Sequence, residues 1–315
     1  MQKTDIIIPV YRPDQSFLEL IEKLEKQTCP IGRIILINTE QKYWDQLFYG
    51  KKVFRNYSNI QVIHISKREF DHGKTRREGV KKSDAPFFVM MTQDAMPADD
   101  MMLENLIRPL LAEEEGIAIS YARQMPAQNA DPVERYTRTF NYPEESCVKR
   151  KEDIEKLGIK TYFCSNVCAA YRRDLYDQSG GFIKEAIFNE DMIFAAECIE
   201  KGYAVAYAAD ARVLHSHHYS NKKQFQRNFD IGVSQADHPE VFESVHSESE
   251  GIQLVRRLVG YLSQNGYKKL ILPMLITSVY KWRGYKMGKN YQKLSRKQIL
   301  RSTMNQEYWR RHWSK

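Results

Sequence analysis

An apolar run near the N-terminus reads DIIIPV at residues 5–10. Consecutive branched apolar residues that end at a proline predict a strand buried on both faces. Similar runs follow at residues 34–38, 60–65, 87–91 and 117–121, and helical spacing of apolar residues fills 14–26 and 99–111. Strands that alternate with helices predict an α/β fold with a mostly parallel central sheet and helices on both faces.

The middle of the chain interrupts this alternation. Residues 123–160 are polar and contain Pro126, Pro132 and Pro143, which predicts a loop-rich excursion. Strand patterns resume at 167–171 and 204–207, with a helix between them at about 190–201. The α/β domain is therefore predicted to span residues 1–240.

Charge divides the chain unevenly. Of the 48 Lys and Arg, 15 lie in residues 251–315, which contain one acidic residue, Glu307. The body before residue 251 is acidic by comparison. Residues 241–315 are therefore predicted to form a separate basic helical tail with an anionic partner.

The tail combines basic groups with apolar and aromatic ones. Five apolar residues share one helical face: Ile252, Val255, Leu258, Val259 and Leu262. Residues 270–280 are apolar but too short to span a bilayer, and Pro273 is predicted to break them. Lysines and arginines then alternate with Trp282, Tyr285 and Tyr291. This pattern favours a peripheral helix on an anionic membrane surface, with packing on the body or on a second copy in a homodimer as the alternative.

Cysteine usage and the N-terminus favour the cytoplasm. The five cysteines form no CxxC pair, which argues against a disulfide framework or a structural zinc site. The N-terminus has no signal-peptide pattern. Together with the tail, these features predict a cytoplasmic protein bound peripherally to the inner face of the cell membrane.

Several polar residues follow predicted strands, where α/β sheets bind ligands. Asp94 follows the fourth strand and can hold a hard divalent cation, or else belong to a helix-entry turn. His215 and His217 follow the last strand on one face and are candidate metal ligands. Asp191, beside Glu190, opens a helix and can act as a general base, although acidic residues there also cap helices.

A further candidate segment reads FDHGKTR at residues 70–76. Its glycine and basic groups, just before a helix, suit contact with phosphate or sugar. Asp71, His72 and Arg76 are the residues of interest. A solvated basic turn is the alternative.

The order of these motifs resembles the family-2 glycosyltransferases, which have the GT-A fold, and within them most closely the bacterial rhamnosyltransferases. The resemblance covers roughly residues 4–235. It rests on IPVY at 8–11, FDHGKTR at 70–76, QDA at 93–95 with Pro97, GGF at 180–182, NED at 189–191, GY at 202–203 and VLH at 213–215.

This resemblance implies an inverting, metal-dependent hexosyltransferase of cell-surface polysaccharide synthesis. The donor would be a nucleotide diphosphate sugar, dTDP-L-rhamnose first, and the acceptor a glycan or lipid-linked glycan. A UDP-hexose donor is the alternative within the family. Outside it, a nucleic-acid-binding protein or an inactive nucleotide-binding subunit are the alternatives, and the acidic body and absence of a reader motif argue against nucleic acid.

The resemblance also implies residue roles. Pro9 and Tyr11 would line the nucleobase pocket, and Asn38 or Glu40 would contact the base. Asp71, His72, Arg76 and Gln93 join them as nucleotide-sugar-binding residues, with Arg76 on the diphosphate.

The metal and the catalytic base complete these roles. Asp94 would bind Mg²⁺ or Mn²⁺, with His215 as second ligand and His217 in reserve. Thr92 stands where the family carries a further acid, as in the Gln-Asp-Ala form of rhamnosyltransferases. Asp191, with Glu190, would be catalytic.

Overall fold

The computed structural model describes residues 3–48, 57–112, 115–216, 219–243 and 248–314. The strands are β1 (Thr4–Tyr11), β2 (Ile31–Thr39), β3 (Ile60–Ile65), β4 (Phe87–Met91), β5 (Met96–Pro97), β6 (Ile117–Met125), β7 (Cys147–Lys149), β8 (Cys168–Arg172) and β9 (Ala204–Leu214). They form one sheet in the order β3-β2-β1-β4-β8-β6-β9-β5, with β7 also paired to β9.

The predicted mostly parallel sheet is confirmed for strand direction. β1 runs parallel to β2 and β4, β2 to β3, and β6 to β9. β8 lies antiparallel between β4 and β6, so those two strands run in the same direction. Six strands in the described chain therefore point one way, while β5, β7 and β8 oppose them.

The helices are α1 (Gln15–Glu25), α2 (Gln41–Phe48), α3 (His72–Val80), α4 (Met102–Ile107), α5 (Pro132–Asn141), α6 (Ile154–Leu157), α7 (Arg173–Gln178), α8 (Glu190–Glu200), α9 (Asn221–Asp237), α10 (Pro239–Phe242), α11 (Glu248–Gln264), α12 (Ile271–Lys289), α13 (Arg296–Ser302) and α14 (Gln306–His312). Short 3₁₀ helices lie at Arg108–Leu111, Lys151–Asp153, Gly158–Tyr162, Lys268–Leu270 and Tyr291–Lys293.

Helices cover both faces of the sheet, as predicted. Successive side chains of a strand point to opposite faces, so Ile6 and Ile8 pack with α1, α2 and α4. Ile7, between them, packs with residues of α3, α7 and α8 on the other face. All three isoleucines are fully buried, which explains the uninterrupted apolar run.

The prediction that residues 123–160 are irregular was wrong. β6 continues to Met125, and the segment contains α5 and β7. Pro132 occupies the first turn of α5, where a missing N–H costs nothing, and Asp131 caps the helix by accepting from the Glu134 N–H. These prolines mark the boundaries of regular elements.

Pro273 likewise does not break the apolar segment of the tail. It lies in the first turn of α12, which continues to Lys289. Among the described residues, no helix is both long and apolar enough to cross a membrane.

The C-terminal helices pack on the body. Leu258 and Leu262 of α11 form a cluster with Val133 and Tyr136 of α5. Trp309 of α14 lies in another cluster, which includes residues of α9 and α13. Part of the face predicted to bind a membrane is therefore turned inward, because it covers α5.

Helices α9 and α12 approach each other closely at three glycines. Gly232 of α9 and Gly284 and Gly288 of α12 face the backbone of the opposite helix. A Cβ atom at Gly284 would overlap the carbonyl of Phe225. The two helices can therefore pack at this distance only because these positions have no side chain.

We predict that Gly284→Ala lowers the free energy of unfolding by about 1–3 kcal/mol, because the added methyl group forces the helix backbones apart. Gly260→Ala is the matched control. Gly260 lies inside α11 with open space around it, and alanine favours a helix over glycine by up to about 1 kcal/mol. Chemical denaturation measures both, and equal stabilities of the two variants would contradict the close approach.

Candidate active site

The side chains that the sequence singles out gather at one edge of the sheet. Because β1, β2, β4, β6 and β9 run in one direction, their carboxyl ends share this edge. Gln93 and Asp94 follow β4, and His215 follows β9. The antiparallel strand β8 begins at the same edge, where the Asn166 N–H donates to the carboxylate of Asp191 on α8. This edge is the candidate active site.

His215 and Asp94 face each other, with 3.6 Å between His215 Nε2 and Asp94 Oδ1. On the far side of the ring, Nδ1 lies 2.9 Å from Gln124 Oε1, while Arg138 Nη2 is farther away at 3.3 Å. Arg138 Nη1 donates to Gln124 Oε1, which identifies that atom as an acceptor. His215 Nδ1 is then the nitrogen that donates to Gln124, so in the neutral ring Nε2, which faces Asp94, is the nitrogen that can bind a metal.

This pair suits a small divalent cation. Two ligands that each lie about 2.1 Å from one ion are at most about 4.2 Å apart, so the 3.6 Å separation lets both reach the same ion. His217, the predicted reserve ligand, lies outside the described residues. Within those residues, no group of three or more His, Cys, Asp or Glu side chains is placed to hold a metal. Among the described residues, Asp94 and His215 are the two side chains placed to bind such an ion.

Asp191 is half-buried and accepts two backbone hydrogen bonds. Its Oδ2 accepts from the Asn166 N–H at 2.9 Å, and its Oδ1 accepts from the Met192 N–H at 2.8 Å. Burial, and next the negative charge of Glu190, raise the pKa of Asp191 to about 7. A carboxylate with this pKa can both take up and release a proton near neutral pH.

Glu190 has a different environment although it adjoins Asp191. It is buried, lies 3.2 Å from Arg76 Nε, and accepts from Asn166 Nδ2 at 3.1 Å. Burial opposes its ionisation, but the charge of Arg76, followed by the influence of His72 and the hydrogen bond from Asn166, outweighs burial and lowers the pKa of Glu190. The carboxylate predicted as catalytic is thus engaged in a buried ion pair.

Arg76 and His72 were predicted to bind the nucleotide sugar, but in the structure their side chains contact other parts of the protein. Arg76 is only 6% exposed, pairs with Glu190, and donates to the His72 carbonyl at 3.1 Å. His72 packs between the rings of Phe70 and Phe188, and burial lowers its pKa. Both residues support the site from inside the protein.

The carboxylate of Asp71 also binds other parts of the protein. It is fully buried and caps α3, since Oδ1 accepts from the N–H groups of Gly73 and Lys74. The same oxygen accepts from the Ala186 N–H, and Oδ2 accepts from Arg311 Nη2 at 2.6 Å. These bonds occupy the carboxylate predicted to bind the donor sugar.

Aromatic and basic side chains surround the end of β1. The Tyr11 ring lies edge-on to Tyr43 at 5.6 Å, and Arg12 covers the Tyr43 ring at 4.6 Å. The Gln93 side chain makes two hydrogen bonds with the Tyr11 backbone: Oε1 accepts from the Tyr11 N–H, and Nε2 donates to the Tyr11 carbonyl. Pro9 is half-buried within β1. Tyr11, Arg12 and Tyr43 offer flat surfaces on which a nucleobase can stack.

Asn38 and Glu40 lie at the end of β2. Asn38 is fully buried beside His64, with 3.0 Å between Nδ2 and His64 Nδ1, and its Oδ1 has no hydrogen-bond partner among the described residues. Glu40 accepts from the Lys67 N–H at 2.6 Å and lies 3.4 Å from Lys42 Nζ. The Lys67 N–H is the main cause of the lowered pKa of Glu40. Glu40 therefore ties β2 to the loop after β3.

Several site residues had no distinguishing pattern in the sequence: Arg12, Tyr43, Gln124, Arg138, Asn166 and Arg227. Arg227 of α9 lies over the Phe188 ring at 4.9 Å and makes no hydrogen bond or ion pair within the described chain. Burial is the main cause of the lowered pKa of Arg227, and the charge of Asp191 is among the smaller opposing causes. Arg227 is thus a partly desolvated cation beside the general-base candidate.

We predict that Glu190→Gln lowers the pKa of Asp191, because it removes a neighbouring negative charge and releases Arg76 from its ion pair. Carboxyl ¹³C NMR titration measures this pKa, with Asp191→Asn identifying the resonance. Glu197→Gln, an exposed change on the same helix, should leave it unchanged. An unaltered pKa in Glu190→Gln would show that Asp191 does not respond to Glu190.

The fold has solved relatives. A mannosyltransferase from Pyrobaculum calidifontis, PcManGT, solved with GDP-Man and Mn²⁺, matches with a TM-score of 0.60 over 93% of this chain and 88% of its own, at 11% identity. TarS of S. aureus matches with a TM-score of 0.52 over 92% and 91% of the two chains, at 15% identity. At these identities the matches establish the fold, and they confirm the GT-A prediction.

Sequence relatives extend over nearly the whole chain. The O-antigen chain rhamnosyltransferase RfbN of Salmonella typhimurium is 36% identical over 98% of this chain and 96% of its own length. The O-antigen chain rhamnosyltransferase WbaN of Salmonella anatum is 35% identical over the same shares. The family model for glycosyl transferase family 2 matches residues 5–180. The predicted resemblance is confirmed, and the chain belongs to glycosyl transferase family 2.

Proposed function

We propose that the chain transfers L-rhamnose from dTDP-L-rhamnose to a hydroxyl group of a glycan or lipid-linked glycan during cell-surface polysaccharide synthesis. Near-full-length similarity to two O-antigen chain rhamnosyltransferases supports the sugar and the pathway class. The observation that carries the chemistry is Asp191, a carboxylate with a pKa of about 7 at the same sheet edge as Asp94 and His215.

Asp191 is proposed to act as the general base. Its carboxylate takes the proton of the acceptor hydroxyl while that oxygen attacks the anomeric carbon from the face opposite the leaving nucleotide diphosphate. The C–O bond to the diphosphate breaks as the new glycosidic bond forms, so the anomeric configuration inverts. The diphosphate leaves as an anion and needs no proton, so one carboxylate suffices, unlike the pair that glycoside hydrolysis requires.

Asp94 and His215 are proposed to hold Mg²⁺ or Mn²⁺. When bound, the ion would supply positive charge against the diphosphate. The hydrogen bonds of Gln124 with His215 and Arg138 support this role, because they orient the ring so that Nε2 faces Asp94.

Charge on the diphosphate also needs donors from the protein. Arg227 is the proposed cation, since it lies beside Phe188 without an ion pair in the described chain. Arg76, which the sequence suggested for this contact, is proposed to act through Glu190 because the two side chains are paired.

On the nucleobase side, Tyr11, Arg12 and Tyr43 are proposed to form the pocket wall. Pro9, Asn38, Glu40 and Gln93 are proposed to shape this pocket from behind. The bonds of Glu40 and Gln93 to the backbone support that role.

We predict that Asp191→Asn reduces turnover about 100-fold or more while dTDP still binds, because it removes the base and leaves the donor contacts. In the wild type, the rate should rise with pH through about 7, since only ionised Asp191 accepts a proton. Rhamnose transfer to a lipid-linked glycan measures the rate, and calorimetry measures dTDP binding. Equal loss of dTDP affinity would remove Asp191 from the role of base.

The same calorimetry distinguishes donors and tests the metal pair. dTDP and UDP are each titrated with Mn²⁺ and with a chelator, into wild type and Asp94→Ala. The proposal requires metal-dependent preference for dTDP, and loss of the metal response in Asp94→Ala. Preference for UDP would instead support a UDP-hexose donor, and an unchanged metal response would refute the ligand assignment.

We further propose that α12 docks the enzyme on an anionic membrane surface at the inner face of the cell membrane. One side of α12 packs on α9, whereas Leu272, Leu275, Ile276, Val279 and Trp282 are exposed on it. Their spacing of three to four residues places most of them along one stripe. The exposed Lys268 and Lys269 lie just before α12, and the exposed Arg283 follows Trp282 on it, which favours anionic lipid as the partner.

We predict that the combined change Leu275→Ser and Ile276→Ser abolishes flotation with vesicles that contain phosphatidylglycerol, because it removes the apolar centre of the stripe. Leu111→Ser is the control, since Leu111 is equally apolar and is exposed on another part of the surface. Neutral vesicles should bind the wild type weakly. If instead the double variant converts a dimer to a monomer in size-exclusion chromatography, the stripe binds a second copy.

A further inference from the structure

The C-terminal helix makes a direct contact with the segment that leads into the site. Arg311 of α14 donates from Nη1 to the carbonyl oxygens of Arg68 and Phe70, at 3.0 and 2.8 Å. Its Nη2 donates to Asp71 Oδ2 at 2.6 Å, across 240 residues of sequence. One guanidinium group thus binds three acceptors between β3 and α3.

The acceptor carboxylate belongs to a junction between elements. Asp71 Oδ1 caps α3 and also accepts from the Ala186 N–H, four residues before Glu190. Gly73 packs so closely on this second segment that a Cβ atom there would overlap the Ile183 carbonyl. Asp71 therefore joins the start of α3 to the loop that leads into α8.

These two segments carry both members of the buried ion pair. α3 supplies Arg76 and α8 supplies Glu190, and Asp191 follows directly. A shift of α3 relative to α8 would separate the pair and change the charge beside Asp191. The bond from Arg311 to Asp71 is therefore linked to the environment of Asp191 by a continuous series of contacts.

α14 is firmly placed by its aromatic residues. Trp309 is 2% exposed and lies 5.3 Å from the Tyr291 ring, and it shares a cluster with Phe229 and Val233 of α9. Asp71 is fully buried, so its charge needs a partner, and Arg311 is the cation that reaches it.

We propose that Arg311 is a positioning residue of the active site, which makes the C-terminal helix a structural part of the catalytic domain. Arg311 holds the start of α3 against the loop before α8, and so fixes the Arg76–Glu190 pair beside Asp191. The effect on turnover rests on the proposed role of Asp191 as base, whereas the effect on the pKa of Asp191 does not.

The test compares Arg311→Gln with Arg310→Gln in the full-length chain. Arg310 lies on the same helix and pairs with the surface residue Glu307, so its loss leaves the junction intact. Arg311→Gln should lower kcat about tenfold or more and shift the pH–rate profile, because misplacement of catalytic groups is costly. Arg310→Gln should keep wild-type kcat and profile. A folded Arg311→Gln protein with wild-type kcat and profile would overturn the proposal.

Two further measurements keep the outcome decisive. If Arg311→Gln does not fold, Arg311→Lys keeps the charge without the planar fork, and wild-type kcat and pH profile in that variant would overturn the proposal. NMR titration of Asp191 in Arg311→Gln needs no substrate. An altered pKa there supports the positioning role even if the wild type fails to transfer rhamnose, and an unaltered pKa in the folded variant refutes it.

Discussion

The buried ion pair between Arg76 and Glu190 is the interaction on which the site depends. It joins α3 to α8 beneath the edge where the strands end. The positive charge of Arg76 lowers the pKa of Glu190, so that carboxylate stays ionised. Its negative charge in turn helps to raise the pKa of the neighbouring Asp191. Two adjacent carboxylates thereby acquire pKa values that lie apart, a pattern by which enzymes separate the roles of similar groups.

The sheet and its functional edge could be predicted from the sequence because their signals are local. An apolar run such as residues 5–10 has to be buried, and strand–helix alternation fixes the direction of most strands. The carboxyl ends then identify Asp94 and His215 as neighbours, although 121 residues separate them in the chain. The two residues come close because β4 and β9 end at the same edge of the sheet, and the alternation of strands and helices predicts that arrangement.

What each polar side chain binds could not be predicted in the same way. Asp71, Arg76 and Gln93 are of residue types that suit a nucleotide sugar, yet each binds another part of the protein. Their partners lie far away in sequence, on α14, α8 and β1, and nothing in a local motif indicates them. Arg227 shows the converse, because an arginine in an ordinary helical segment becomes notable only when its surroundings contain no carboxylate partner within the described chain.

The glycine contacts between α9 and α12 have a geometric consequence. Backbones that touch without intervening side chains leave little room for sliding or rotation. α9 carries Arg227, so a membrane surface docked on α12, as proposed, would be held at a constant height and tilt relative to the candidate active site. The two helices therefore form one rigid unit. If the acceptor is anchored in such a surface, its glycan must be long enough to bring the reacting hydroxyl to Asp191, so the fixed distance would select acceptors by length.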